Sequence, residues 1–179
     1  LLHVPSTTKV TELPFAFGVR HAGESKLSRR VQVEFLEYLY EAVFGRYIPL
    51  SLLKFAIVGL LGVFVNLFVY RLAQLWLGAP AEDLLGISPP LLVAIEAAII
   101  FNFLLHNHWT FSEVQLKGVH AIKGFLLFNI ACVFGALANY AVTSHLYQQG
   151  LPESTSVLAG AFLGMIWNYT MSRLLTWKV

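Results

Sequence analysis

The densest cluster of phosphate-binding chemistry in the sequence is Arg20-His21-Ala22-Gly23-Glu24-Ser25-Lys26, followed closely by Arg29 and Arg30. A guanidinium fork grips phosphate through two parallel hydrogen bonds, and an ammonium acts as a compact point charge. Ser25 adds a hydroxyl, and Gly23 gives the loop freedom to close. Spacing alone leaves a second reading open, because basic residues beside a bilayer also contact lipid headgroups or set topology.

Other residues with chemical potential lie in apolar surroundings. Arg71 and Glu96 are ionisable groups inside hydrophobic runs, where charges are costly and normally paired. Counted from the ends of their segments, each lies on the order of 10 Å deep. An ion pair between them is therefore expected, with snorkelling of Arg71 to the interface as the alternative. Asn66, Asn102, Asn139 and Asn168 also fall in apolar runs. They read as interhelical hydrogen-bonding groups, with a polar lipid path as the competing role. His106 and His108 have no further ligand candidates beside them, so no metal site is expected. The sequence contains no nucleophile-base-acid triad, Walker loop, dinucleotide glycine motif or Asp-x-Asp pair. A complete catalytic centre is not expected in this chain.

The elements that must hold these residues follow from composition. Hydrophobic residues make up 57 % of the chain and charged residues 12 %, with a mean hydropathy of +0.67. A soluble domain is about 45–50 % apolar and about 25 % charged. The balance excludes an ordinary soluble enzyme and a nucleic-acid-binding domain, and implies a lipid bilayer as partner. The single cysteine, Cys132, rules out an internal disulfide framework. The chain opens Leu-Leu-His-Val without a basic n-region, which reads as a cut edge rather than a start or a signal peptide.

Four segments are long and apolar enough for a hydrocarbon core that needs about 20 helical residues: Lys54 to Leu77, Pro89 to His108, Ile122 to Tyr147 and Ser154 to Leu175. Backbone groups in lipid must be satisfied within the segment, so these runs are expected to be helices. Arg20, Lys26, Arg29, Arg30, Arg46 and Lys54 precede the first; Lys117 and Lys123 lie between the second and third; Arg173 and Lys178 end the fourth. The other two links contain neither Lys nor Arg, which predicts a multi-pass protein with both termini in the cytoplasm. Gly62-x-x-x-Asn66 recurs as Gly135-x-x-x-Asn139, and Asn102-Phe103 with Thr110-Phe111 recurs as Asn168-Tyr169 with Thr176-Trp177. The expected architecture is thus an all-α membrane protein of four transmembrane helices, arranged as two hairpins in a parallel repeat. The glycines at 59, 62, 135, 160 and 164 are expected to let helices approach closely.

Upstream, Lys9 to Phe17 alternates loosely around Pro14 and suits an edge strand whose sheet lies in sequence outside this chain. Ser28 offers an N-cap to a helix reaching about Arg46, with Phe35, Leu36, Leu39, Val43 and Tyr47 on one face and Glu34, Glu37 and Glu41 on another. That helix is expected to lie along the membrane, with packing on a soluble core as the alternative because an acidic face is unhelpful against anionic lipid. Pro49 breaks the chain, and Ser51 offers a cap to the first span. Residues 1–27, 28–50 and 51–179 therefore divide into a terminal remnant, a juxtamembrane helix and a transmembrane domain.

Two stretches resemble known families. Lys54-Phe-x-x-Val-Gly-x-x-Gly-x-x-x-Asn66, Asn102-Phe103-Leu104-Leu105-His106-Asn107-His108-Trp109-Thr110-Phe111 and Asn168-Tyr169-x-x-Ser172-Arg173 resemble the GtrA-like family of four-helix membrane proteins. Val10-Thr11-Glu12-Leu13-Pro14-Phe15 with Arg20-x-x-Gly23-x-Ser25-Lys26 is similar to the end of the catalytic domain of dolichol-phosphate mannose synthases, which are family 2 glycosyltransferases of GT-A fold. Their order matches a fusion of the two. The resemblance implies transfer of mannose or another hexose from a nucleotide sugar to a polyprenyl phosphate at the cytoplasmic face. It implies phosphate contacts for Arg20, Ser25 and Lys26, and loop closure at Gly23. It also places a divalent cation, Mg or Mn, in a catalytic domain upstream, with no cofactor bound by this chain. Two rival expectations are a non-enzymatic carrier helping a lipid-linked sugar across the membrane, and a pure assembly module.

Overall fold

The computed structural model describes residue 14 and residues 28–77 and 88–179. The expected strand and the Arg20–Lys26 cluster lie outside the described residues. The chain divides into two units, Leu1–Leu36 and Glu37–Val179, the boundary falling within the first helix.

That helix, α1 (Arg29–Phe44), starts where the sequence places a cap. Ser28 Oγ accepts from the Val31 backbone N–H at 3.4 Å. The acidic residues of α1 have a use that composition does not reveal. Glu41 Oε1 accepts from the Leu50 N–H at 3.0 Å, so Glu41, not Ser51, satisfies the start of α2 (Leu50–Leu77). Glu37 pairs with Lys54 at 2.8 Å, and Tyr40 Oη donates to the Ile48 carbonyl at 3.1 Å. Ser51 is instead 2.7 Å from the Tyr169 hydroxyl, far along the chain.

Three helices carry most of the apolar sequence: α2, α3 (Pro89–Leu105) and α4 (Val119–Gln148). Pro89 and Pro90 open α3 at positions where a missing N–H costs nothing. Gly118, at φ 55°, precedes α4. At its far end Gly150 takes φ 88°. There the Gly150 N–H bonds to the Tyr147 carbonyl and the Leu151 N–H to the Leu146 carbonyl, a Schellman closure followed by Pro152. The last long helix is α5 (Glu153–Met171). Both α3 and α5 end in one wide turn, π1 (His106–Thr110) and π2 (Ser172–Thr176), separated in the first case from α4 by a short 3-10 turn at Ser112–Val114. No strand occurs among the described residues.

By length and composition, α2, α3 with π1, and α4 can each cross a membrane. Only 17 % of the most apolar stretch of α2 is buried. Side chains such as Leu75 and Trp76, more than 80 % exposed, therefore require lipid rather than water around them.

Small residues make the seams. Within the α2–α3 hairpin Gly62, Ala94 and Ala98 are buried, and within the α4–α5 hairpin Ala131, Gly135, Gly160 and Gly164 are buried. A Cβ on Gly164 would lie 3.0 Å from the Gly135 carbonyl oxygen, which brings the two backbones into direct contact. Gly59 departs from the expectation, since nothing lies within 4 Å of the Cβ position there. The hairpins meet around an aromatic cluster of Phe55, Phe103, Phe111, Phe128, Tyr169 and Trp177 at the end that bears π1 and π2.

Candidate functional site

The most organised polar chemistry among the described residues surrounds that cluster. The wide turns carry it there: the i to i+5 bond from Phe111 N–H to the His106 carbonyl measures 2.8 Å, and that from Trp177 N–H to the Ser172 carbonyl measures 3.0 Å. A π turn holds one residue more than an α turn, which resets the face on which the following residue falls, and such turns are frequent at functional sites. Phe111 and Trp177 consequently stack, with centroids 4.5 Å apart and planes at 20°.

His106 is only 1 % exposed. Its ring stacks on Phe55 at 4.1 Å and 8°, and Nδ1 is 3.0 Å from Thr110 Oγ1. Asn107 binds the following link from both sides, donating to the Leu116 carbonyl at 3.0 Å and accepting from the Leu116 N–H at 2.8 Å. Asn107 Oδ1 also accepts from Trp177 Nε1 at 3.0 Å. One carboxamide thereby joins the α3–α4 connection to the C-terminal end of the chain. His108 turns outward and bonds the Leu104 carbonyl at 2.8 Å. The two histidines thus diverge, and no group of three metal-ligating side chains occurs among the described residues. Lys54 joins this end of the domain, with Nζ 5.8 Å above the Trp109 ring.

The asparagines take two kinds of place. Asn102 lies against Gly62, and Asn168 against Gly135, each filling the space a Cβ would need. Their Oδ1 atoms are buried without a hydrogen-bond partner. Weak Cα–H···O contact with the glycine is the interaction left to such an oxygen. Asn139 Oδ1 accepts from Thr143 Oγ1 at 3.1 Å. That hydroxyl also lies 3.3 Å from the Ser156 carbonyl across the α4–α5 seam. Asn66 is half-buried on α2.

Arg71 and Glu96 do not form the expected ion pair; both are exposed, and the salt bridge from α2 runs from Lys54. Helical periodicity gives the reason. Glu96 lies midway between Ala94 and Ala98, the buried seam residues of α3, and Arg71 stands two positions before buried Ala73. At about 100° per residue, a shift of two places turns each side chain to the far side of its helix. The phosphate-type residues Arg20, Gly23, Ser25 and Lys26 lie outside the described residues.

The sequence reading missed the roles of His106, Asn107 and Ser51. The available signal was the repeated spacing that ends in Thr110-Phe111 and Thr176-Trp177, which marks both turns without disclosing that they widen. Nothing in the local sequence pairs Ser51 with Tyr169.

Comparison with known proteins places this geometry. Residues 54–177 match the model of the GtrA/DPMS transmembrane domain. The chain belongs to that family. Its match begins at Lys54, the partner of Glu37, and ends at Trp177, the ring stacked on Phe111. The matched region of the GtrA/DPMS domain therefore runs from the second turn of α2 through π2. The chain is also 33 % identical over 171 residues to a dolichol-phosphate mannosyltransferase of Pyrococcus furiosus. That alignment covers 95 % of this chain and 46 % of the relative. The chain thus spans about half the length of the curated relative it matches.

Proposed function

We propose that this chain is the C-terminal portion of a membrane-bound polyprenyl-phosphate hexosyltransferase, mannose being the favoured sugar. The observation that carries the reading is the alignment with the Pyrococcus mannosyltransferase, which extends beyond the membrane domain to take in nearly the whole chain. In this reading residues 1–27 end a GT-A catalytic domain. Arg20, Ser25 and Lys26 hold phosphate groups of donor and acceptor, and Gly23 lets the loop close. Residues 28–50 lie on the bilayer surface, consistent with the exposed Phe35, Leu36, Leu39 and Val43 on α1. Residues 51–179 mount the catalytic domain beside its lipid acceptor, with both termini in the cytoplasm. The nucleotide sugar and its Mg or Mn ion belong to the upstream domain.

The membrane domain itself is proposed to comprise four spans, α5 with π2 providing the last, in two hairpins related by a parallel repeat. Matching buried positions support this. Phe55, Val58 and Gly62 on α2 correspond at one constant offset to Phe128, Ala131 and Gly135 on α4. Pro90, Ala94, Ala98 and Phe103 on α3 correspond at another to Ser156, Gly160, a further buried glycine at 164, and Tyr169 on α5. The wide turns and the glycine-seated asparagines recur at the same offsets.

The test is made in the full-length protein. Arg20→Ala is expected to abolish transfer of radiolabelled mannose from its nucleotide donor to polyprenyl phosphate while membrane insertion is retained. Unchanged turnover in that variant would remove Arg20 from the phosphate site.

A further inference from the structure

Arg71 and Glu96 leave a charge problem that the single chain does not solve. Arg71 is the only Lys or Arg between Lys54 and Lys117, and Glu96 is the only Asp or Glu between Asp83 and Glu113. No charged residue of either sign occurs from Gly124 to Pro152. Arg71 lies six residues before the end of α2 and Glu96 seven after the start of α3. Both are therefore about 10 Å from the linked ends of the hairpin, within apolar helices.

Both side chains are exposed, and their neighbours a turn away show what they face. Arg71 shares a stripe of α2 with the exposed Phe64, Phe68 and Leu75, and Glu96 shares one of α3 with the exposed Leu92, Ile100 and Leu104. Those stripes belong in lipid, where an ionised side chain is costly unless it meets an opposite charge. Arg71 has an alternative, because its long stem reaches toward the headgroups. Glu96 is too short for that and needs a cation at its own depth. The sequence supplies one such cation, Arg71, and within the chain the helix faces turn it away. A second copy presents it again. The contact of Asn102 with Gly62 fixes the register of the hairpin. From that contact Arg71 lies nine residues along α2 and Glu96 six back along α3, so their levels differ by only about 5 Å. Copies inserted the same way in one bilayer thus bring Arg71 and Glu96 within reach of each other.

We propose that the lipid-facing sides of the α2–α3 hairpin form a docking surface for a second copy of this chain, joined by an ion pair between Arg71 of one copy and Glu96 of the next. The two side chains leave their shared seam in opposite directions, so the contact is head-to-tail rather than two-fold. It acts on association and not on the unfolding of a single chain; in dilute detergent, where copies are separate, the two residues affect stability independently. This inference does not depend on the transferase reading, and its test reads no transfer activity.

The test exploits complementation between two charge reversals. Cys132, the one cysteine of the sequence, is changed to Ser, and a cysteine appended after Val179 carries a donor or an acceptor dye. Energy transfer in phosphatidylcholine vesicles, at one protein-to-lipid ratio, then reads association. Chains with both charges intact should associate. Arg71→Glu sets two carboxylates against each other and Glu96→Arg two guanidiniums, so each variant alone should associate about tenfold more weakly or worse. Mixed together, the two variants should recover most of the association, because every contact again joins opposite charges. Circular dichroism in detergent establishes that each variant folds before reconstitution. If a reversal does not fold, Arg71→Gln and Glu96→Gln replace the pair: each should weaken association about fivefold, and the double variant should be no weaker than either. Chains with both charges intact that stay monomeric would show that headgroups or water satisfy the two groups, and would overturn the proposal. Reversals that associate as well as the parent, folded variants whose mixture recovers nothing, or Gln substitutions that change nothing or whose effects multiply would overturn it too.

Discussion

Phe111 and Trp177 stack at 4.5 Å across the junction of the two hairpins, each delivered by the wide turn that closes its own helix. The pair joins two parts of the chain that are distant in sequence, and Trp177 is fixed further by its bond to Asn107. Few other buried side chains hold the hairpins together, because the space farther along is a cavity of about 780 Å³ rather than a packed core.

Trp177→Ala should therefore loosen the junction far more than a lipid-facing substitution does. A loss of roughly 3 kcal/mol is expected, toward the low end for core aromatic truncations because the ring is exchanged for lipid contact as well as water. Trp177→Phe keeps the stack and forfeits the bond to Asn107, at about 1 kcal/mol. Thermal unfolding in one detergent, read beside Trp76→Ala at an 86 % exposed site, checks the ranking. Equal midpoints for Trp177→Ala and Trp76→Ala would show that the stack does not hold the domain.

At the α4–α5 seam the carboxamide of Asn168 occupies the place of a Cβ on Gly135. Gly135→Ala should destabilise by about 1–3 kcal/mol through overpacking. Asn168→Ala makes room for the new methyl, so the double variant should recover part of that loss. Strictly additive effects in a double-mutant cycle would mean that the two residues do not meet. The same cycle applies to Gly62 and Asn102.

Arg71 and Glu96 provide the opposite control. They face away from their shared seam, so Arg71→Gln and Glu96→Gln should combine additively to within about 0.5 kcal/mol. A coupling of 1 kcal/mol or more would restore the ion pair that the helix faces exclude.

The juxtamembrane tether allows a prediction about geometry rather than stability. The Lys54–Glu37 pair closes at 2.8 Å beside the bend. Its effect is to fix the turn between α1 and α2 together with the Glu41 cap on Leu50. Spin labels at residues 40 and 57 should give a narrow distance distribution that broadens in the Glu37→Gln/Glu41→Gln variant. No broadening would show that Pro49 alone sets the bend.

These residues also mark how far sequence alone reaches. The long helices were legible because lipid enforces apolar runs of fixed minimum length, and the cap at Ser28 because capping is local. The Asn and Gly positions were legible as a recurring pattern, though not as contacts between Asn102 and Gly62 or between Asn168 and Gly135. Depth alone brings Arg71 and Glu96 level, but their azimuth, two places from the buried Ala73 and from Ala94 and Ala98, turns them apart. Ser51 was assigned by proximity to a helix start, yet its hydroxyl is drawn to Tyr169, a contact that exists only after the two hairpins pack. Spacing does not distinguish His106 from His108; the wide turn at His106–Thr110, which buries the first and exposes the second, has no sequence signature.

In the proposed function this GtrA/DPMS domain serves a polyprenyl-phosphate hexosyltransferase. Membranes carrying the full-length protein, supplied with polyprenyl phosphate and radiolabelled nucleotide mannose, test it most directly. The expected result is label extracted into the organic phase as polyprenyl-phosphate mannose, dependent on Mg or Mn and absent from membranes without the protein. Label that stays wholly aqueous with mannose and with other nucleotide hexoses would contradict it.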